Sequence, residues 1–325
     1  MNTEANTFVV TDQMKEVRSI QLVLLKKLLE VCKRNNLRIW ADSGTLIGTV
    51  REHGYIPWDD DIDMGMLRPD YDKLVEISQQ EFTGRFFFQT AYSDKEYPRG
   101  HAQLRMRNTT AILPNDVDKP FHMGIFIDIF VYDVVPSDAK ELETLRQQVI
   151  TQKEKLFSYC DKMRFWKVFS SPVLYFRHKR IRKEISQIGF TKAYADYENL
   201  FRAHPLKEDS YIGEISFDFD NYANQQINVK DFSDTLYMPF EDTQIPVPIG
   251  YDAILTSMYG DYMRPVQEPT CHGSYLLLDT TKDYSLHIES LRKSYSHEKF
   301  IKRWKHIFDK ILYYLSFGHT EVPKR

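Results

Sequence analysis

The chain has 325 residues and a mass of 38.5 kDa, room for one large or two ordinary domains. Hydrophobic residues make up 42% and charged residues 27%, which excludes general disorder. Lys and Arg number 43 against 46 Asp and Glu, a net charge of −3, without the basic excess of a protein that grips a nucleic-acid backbone. Cys32, Cys160 and Cys271 are too few and too scattered for a disulfide framework or a cysteine-rich zinc site. Residues 1–11 lack the basic-then-apolar pattern of a signal peptide, and no run approaches the ~18 apolar residues that span a bilayer. The expected location is cytoplasmic and reducing.

Residues 13–34 predict an amphipathic helix. Val17, Ile20, Leu24, Leu28 and Val31 recur at three- and four-residue intervals, with Thr11 or Asp12 as N-cap and Asn35-Asn36 as the stop. Residues 37–41 predict a short strand, and Ser43-Gly44 turns the chain into a short helix over 45–53, ended by Gly54. The loop 55–58 leads into 59–66, which alternates like a strand. Residues 68–80 read as a helix with Pro69 in its first turn. Residues 85–91 and 102–107 are strand candidates, and 124–131 (GIFIDIFV) has the apolar pattern of a strand buried on both faces. From 137 to about 204 the chain is helical and rich in Lys, Arg and aromatics. Strand-like pieces return at 237–241 and 245–247, followed by a helix near 251–259. At the end, Phe300, Trp304, Ile307, Phe308, Ile311 and Leu315 share one helical face. The expected fold class is α+β.

Four carboxylates lie within five positions: Asp59, Asp60, Asp61 and Asp63. On an extended strand alternate side chains share a face, so Asp61 and Asp63 point together, joined by Asp59 if the strand starts early. Ile62, Met64 and Met66 then fill the opposite, core-facing side. Like charges this close repel, so a carboxylate must neutralise or a cation must bind, and oxygen-only ligands suit Mg²⁺ or Mn²⁺. Most acidic runs are merely solvated surface, but this one follows Pro57-Trp58 and continues into an apolar strand. An EF-hand is rejected, because its glycine and glutamate places hold Met64 and Asp70. Asp128 sits inside the apolar 124–131 run, where an unpaired carboxylate would cost several kcal/mol. Its expected partner is a metal shared with Asp61 and Asp63, or a structural Arg.

Ser43, Gly44 and Thr45 join a strand to a helix, a turn that exposes backbone N–H groups and the positive helix end to a phosphate. The same tripeptide is also an ordinary N-cap. Arg51, two turns on, carries a fork able to grip a phosphate bidentately. Arg105, Arg107, Asn108 and Thr109 offer a second polar, basic edge.

Residues 44–51 (GTLIGTVR) and 54–63 (GYIPWDDDID) together resemble the signature of the LicD family, bacterial phosphotransferases related to the fukutin proteins. Further pieces agree in order: 105–111 (RMRNTTA), 124–130 (GIFIDIF) and 259–265 (YGDYMRP). The resemblance covers about 20–135 and 210–275; the late block departs from it at Val266-Gln267, where family members often carry paired prolines. It implies a nucleotidyltransferase-like fold, a small mixed sheet flanked by helices, over 12–135 plus 205–280. A helical insertion over 137–204 and a C-terminal helical segment over 281–325 complete the expected organisation. The resemblance further implies transfer of a phospho-alcohol, typically phosphocholine, from a CDP-linked donor to a hydroxyl of a cell-surface glycan. In that scheme Asp61 and Asp63, with Asp59, hold one Mg²⁺ on the donor diphosphate. Asp128, the third acidic residue of the core, bridges a second ion or acts as general base, and Arg51 steadies phosphoryl oxygens. His272, just past the late block, is a candidate for the headgroup or acceptor side.

Residues 162–183 carry eight Lys or Arg and no Asp or Glu, interleaved with aromatics. This suits either an anionic membrane surface, and with it a lipid-linked glycan acceptor, or a core-packed helix with a solvated basic face. Two other functions stay open. One is a Mn²⁺-dependent glycosyltransferase whose Asp-x-Asp pair grips a nucleotide sugar; the other is a non-catalytic binding protein on the same fold.

Overall fold

A computed structural model describes residues 8–161, 168, 171–225, 227–267 and 275–295. Helix α1 (Asp12–Arg34) starts at Thr11, whose Oγ1 accepts from the Met14 N–H at 3.2 Å. It buries Val17, Leu24, Leu28 and Val31, the periodic face its sequence predicts. The strand expected over 37–41 shortens to β1 (Trp40–Ala41), and helix α2 (Ser43–Arg51) begins two residues early because Asp42 caps it. Next come β2 (Asp63–Leu67), α3 (Arg68–Glu81), β3 (Phe86–Gln89), β4 (Ala102–Met106), β5 (Thr110–Ile112) and the long β6 (Phe126–Val135).

The main sheet runs β1-β2-β6-β4-β3. Only β2 and β6 are parallel; every other pairing is antiparallel, giving the mixed sheet of an α+β fold. The far end of β6 pairs with β7 (Tyr211–Gly213), which in turn pairs with β8 (Ile227–Asn228). Strand β2 starts at Asp63 and not at 59, and the reason lies 40 residues away. The Arg18 guanidinium donates to the carbonyls of Ile56, Pro57 and Asp59, and Gln21 Nε2 donates to that of Asp60. Backbone groups that a sheet would use are satisfied by α1 side chains instead.

The helical middle forms as expected: α4 (Ala139–Cys160), α5 (Pro172–Ile188) and α6 (Phe190–Arg202) close around a second core that includes Leu145, Val149, Ile181, Ile185, Tyr197 and Phe201. Arg68 ties this layer to the sheet, gripping Asp133 on β6 at 2.6 Å and Glu198 on α6 at 3.2 Å. The pieces at 237–241 and 245–247 form a hairpin of β9 (Thr235–Phe240) and β10 (Thr243–Pro248). A short helix α7 (Phe219–Tyr222) precedes them and α8 (Tyr251–Tyr259) follows. Strand β11 (Leu277–Asp279), which the sequence pattern does not announce, pairs with β5. Residues 285–295 are helical, and Ile288 packs with Tyr97, Ile112 and Phe121. No helix among the described residues is long and apolar enough to cross a membrane. The helix expected over 300–315 lies outside the described residues, as do Cys271, His272 and most of 162–170.

Candidate active site

The site forms where β2 and β6 run side by side. Asp63, the first residue of β2, and Asp128, on β6, are register partners across the parallel pair. The Asp128 N–H donates to the Ile62 carbonyl at 2.9 Å, and the Asp63 N–H donates to Thr45 Oγ1 at 2.9 Å, so sheet and α2 fix both backbones. Asp61 precedes the strand yet shares its parity, with Ile62, Met64 and Met66 fully buried on the other side. One carboxylate oxygen each from Asp61, Asp63 and Asp128 fits within 4.8 Å, and Asp59, Asp60 and Asp61 form a second, overlapping group. Burial pushes the Asp61 carboxyl well above the usual carboxylate range, and repulsion from Asp63 and Asp59 pushes it further. An all-oxygen, acidic donor set with two members buried, Asp61 and Asp128, fits a hard divalent cation such as Mg²⁺ or Mn²⁺.

The turn before α2 faces this cluster. Ser43 has φ of 45°, a left-handed conformation that costs a non-glycine residue on the order of 1 kcal/mol and persists where the surroundings over-determine it. Here Asp42 does so, accepting the Ser43 N–H at 2.7 Å and the Tyr132 hydroxyl at 2.8 Å. Gly44 leaves room for Asp59: a Cβ there would meet Asp59 Oδ2 at 2.6 Å and force that carboxylate to shift. Behind the turn lies Glu214, fully buried. Burial and the Asp42 charge hold the Glu214 carboxyl well above its usual range, and burial raises Asp42 as well.

Asp128 is held from β4. Gln103 stands opposite it in the sheet, and its Nε2 donates to Asp128 Oδ1 at 2.7 Å, while His101 Nε2 reaches the same oxygen at 3.1 Å. Gln103 cannot flip, because its Oε1 accepts from Arg105 Nη2. Arg105 is itself buried and anchored to the Gly124 carbonyl at 2.6 Å and to Gln89 Oε1. The His101 ring packs on Phe130 and Phe217, with centroids 4.7 and 5.2 Å away. Burial lowers the His101 pKa, so the ring is neutral near pH 7.

These groups open into a cavity of about 980 Å³. One wall carries Ser43, Gly44, Arg51, Trp58, Tyr259 and Arg264; the other carries His101, Phe130, Phe217 and, from α4, Lys153 and Phe157. Arg51 is steered toward it by Nη1, which donates to the Tyr262 carbonyl at 2.8 Å. Of the residues singled out by sequence, Ser43, Gly44, Arg51, Asp59, Asp61, Asp63 and Asp128 line this one cavity. Thr45 lies buried just behind it. Arg105, Arg107 and Thr109 are not brought to its lining. Arg105 supports Gln103 from beneath, Arg107 stacks on Phe87 at 4.7 Å, and the Thr109 hydroxyl donates to the Met106 carbonyl and accepts the Ile125 N–H. His101 and Gln103 were missed by sequence reasoning. Their only signal is parity: 101, 103 and 105 alternate onto one face ahead of the strand end.

Comparison with known proteins now adds to the geometry. Residues 36–161 match the family model described as LicD/FKTN/FKRP, nucleotidyltransferase domain. Over 251 residues, 77% of this chain and 91% of the relative, the sequence is 30% identical to the lipopolysaccharide cholinephosphotransferase LicD of Haemophilus influenzae. Shorter matches of 44% identity over 57 residues and 41% over 69 residues link it to uncharacterised proteins of Rickettsia prowazekii and Rickettsia typhi; these cover 21% and 22% of those relatives and 18% and 21% of this chain. These matches support a transferase. The chain belongs to the LicD family.

Proposed function

We propose that this chain transfers phosphocholine from CDP-choline to a hydroxyl of a cell-surface glycan of the lipopolysaccharide, teichoic acid or capsule type, on a nucleotidyltransferase-type core. The observation that carries this reading is the convergence of Asp61, Asp63 and Asp128 beside the Ser43-Gly44 turn. A divalent cation, Mg²⁺ or Mn²⁺, held by Asp61, Asp63 and Asp128 with Asp59 nearby, would neutralise the donor diphosphate and make the acceptor hydroxyl more acidic. The protein's own groups do the rest. The N–H groups at the start of α2 and the Arg51 fork receive phosphate oxygens. The acceptor oxygen forms a bond to the phosphorus of phosphocholine, the bond to the CMP oxygen breaks, and the acceptor proton passes to the Asp128 carboxylate. CMP leaves with the electron pair. A nucleotide-activated donor puts the reaction on the cytoplasmic side.

The test is CMP release from CDP-choline, CDP-ethanolamine, CDP-ribitol and CDP-glycerol, with and without Mg²⁺, beside the Asp61→Asn variant. Metal-dependent CMP from CDP-choline, lost at least 100-fold in the variant, is expected. UDP or GDP release from nucleotide sugars would instead establish the glycosyltransferase, and full activity of Asp61→Asn would sink the site assignment.

A further inference from the structure

Helix α5 presents a surface that neither the cavity nor the core uses. Its inner face is spent on packing, with His178, Ile181 and Ile185 buried in the helical layer. At the start of its outer face Val173, Leu174 and Phe176 are 79%, 53% and 59% exposed, three large apolar side chains within four positions. Val173, Phe176, Arg180 and Lys183 follow one another at i, i+3, i+7 and i+10, so a single ridge passes from apolar to basic. Lys179 and Arg177 flank that ridge, both exposed. Arg177 reaches Glu154 on α4 at 2.7 Å, but Lys179, Arg180 and Lys183 make no ion pair among the described residues. No acidic side chain lies between 172 and 183.

We infer that this ridge lies on an anionic lipid bilayer, with Val173, Leu174 and Phe176 entering the acyl boundary and the Lys and Arg heads among the phosphates. Three apolar side chains are too few for a stable protein interface, which buries about 800 Å² per partner. They are enough for an interfacial helix, whose binding combines shallow apolar insertion with attraction to a diffuse negative surface. Nucleic acid has no use for the apolar tip, and the overall charge of −3 opposes it. The position also makes sense within the fold. Helix α4 lies between α5 and the cavity, giving Lys153, Phe157 and Asp161 to its wall, and Arg182 of α5 donates to the Asp161 carbonyl at 3.2 Å. The bilayer would thus lie roughly one interhelical spacing, about 8–10 Å, behind that wall. This contact does not depend on the reaction proposed above.

Flotation of the full chain with phosphatidylglycerol–phosphatidylethanolamine vesicles, against phosphatidylcholine vesicles and across a salt series, tests it. The expected result is flotation with the anionic vesicles only, weakening as salt shortens the Debye length. Two triple variants, V173D/L174D/F176D and K179E/R180E/K183E, should each lose tenfold or more in lipid partitioning while keeping the wild-type melting temperature and CMP release. No flotation, equal flotation with phosphatidylcholine, or wild-type flotation by both variants overturns the inference. So does a change of oligomeric state in the aspartate variant without loss of lipid binding, which would make the ridge an interface between copies.

Discussion

The hold that β4 exerts on Asp128 can be measured by replacing Gln103 with leucine, which has nearly the same volume and no polar atom. The substitution removes the 2.7 Å amide donor to Asp128 Oδ1 and the Oε1 that receives Arg105 Nη2. Hydrogen bonds to charged groups contribute about 1.5–3 kcal/mol each, and two are lost, partly offset by the gain in apolar burial. A net destabilisation of about 3 kcal/mol is expected, a sizeable part of the ~5–15 kcal/mol that holds a domain together. Freed of its Gln103 donor, the Asp128 carboxylate can rotate. Loss of such a partner behind a metal ligand typically weakens metal affinity 10- to 100-fold. Mn²⁺ titration followed by calorimetry, at a temperature where the variant is folded, reads that number directly. Gln103→Glu separates the two effects, because it keeps an acceptor for Arg105 and so the fold, yet turns a carboxylate toward Asp128. It should melt near wild type and still bind Mn²⁺ poorly. Mn²⁺ affinity within twofold of wild type in Gln103→Leu would refute the positioning argument.

Gly44→Ala drives a Cβ to 2.6 Å from Asp59 Oδ2, so CMP release should fall tenfold or more with a change in melting temperature of only a few degrees; unchanged kinetics would show that Asp59 can swing away at no cost. Glu214 has a folded pKa above its unfolded one, so its share of stability is full below the ordinary Glu range and is lost as pH rises toward the raised value. Glu214→Gln removes that titration and should gain on wild type by up to ~1.4 kcal/mol per pH unit from about pH 5 upward, read as the difference in melting temperature across pH. A constant difference would contradict it. Arg68→Met removes both arginine contacts to Asp133 in the core, while Glu198 keeps Arg202 and Tyr92, and should cost about 3–5 kcal/mol in urea unfolding. Recovery by Arg68→Lys should be partial, since an ammonium cannot repeat the paired Nε and Nη2 contacts to Asp133.

Local rules reached those parts of the molecule whose causes are local. The 3.6-residue period of α1 appears where the pattern puts it, while α2 takes Ser43-Gly44 into its first turn and the apolar run of β6 starts two residues later than expected and extends to Val135. Strand β2 was misjudged because Arg18 and Gln21 on α1 intercept the backbone of 56–60, an effect of side chains some 40 positions upstream. The acidic centre was legible because four carboxylates packed into an apolar context demand a partner. Its support was not. Arg105 has the composition of a substrate-facing cation, and only the pairing of β4 with β3 and β6 turns it inward between Gln89, Gln103 and Gly124.

The parallel pairing of β2 with β6 decides whether the chain has a site at all. Side chains alternate along a strand, so a slip of one residue would turn Asp128 away from Asp63 and bring Ile127 or Ile129 beside it. Those isoleucines are fully buried, and exposing either to a polar cavity would forfeit about 1.5–3 kcal/mol of hydrophobic burial. The apolar residues of β6 therefore hold the register in which the carboxylates meet, and Asp63 and Asp59 there repel the Asp61 carboxylate. Burial first, and that repulsion next, hold the Asp61 carboxyl well above the usual carboxylate range. A cation that binds the folded chain relieves the repulsion and stabilises the native state by mass action. Hydrophobic packing thus supplies the stability that keeps like charges together, and the proposed cation would draw its affinity from the charges so assembled.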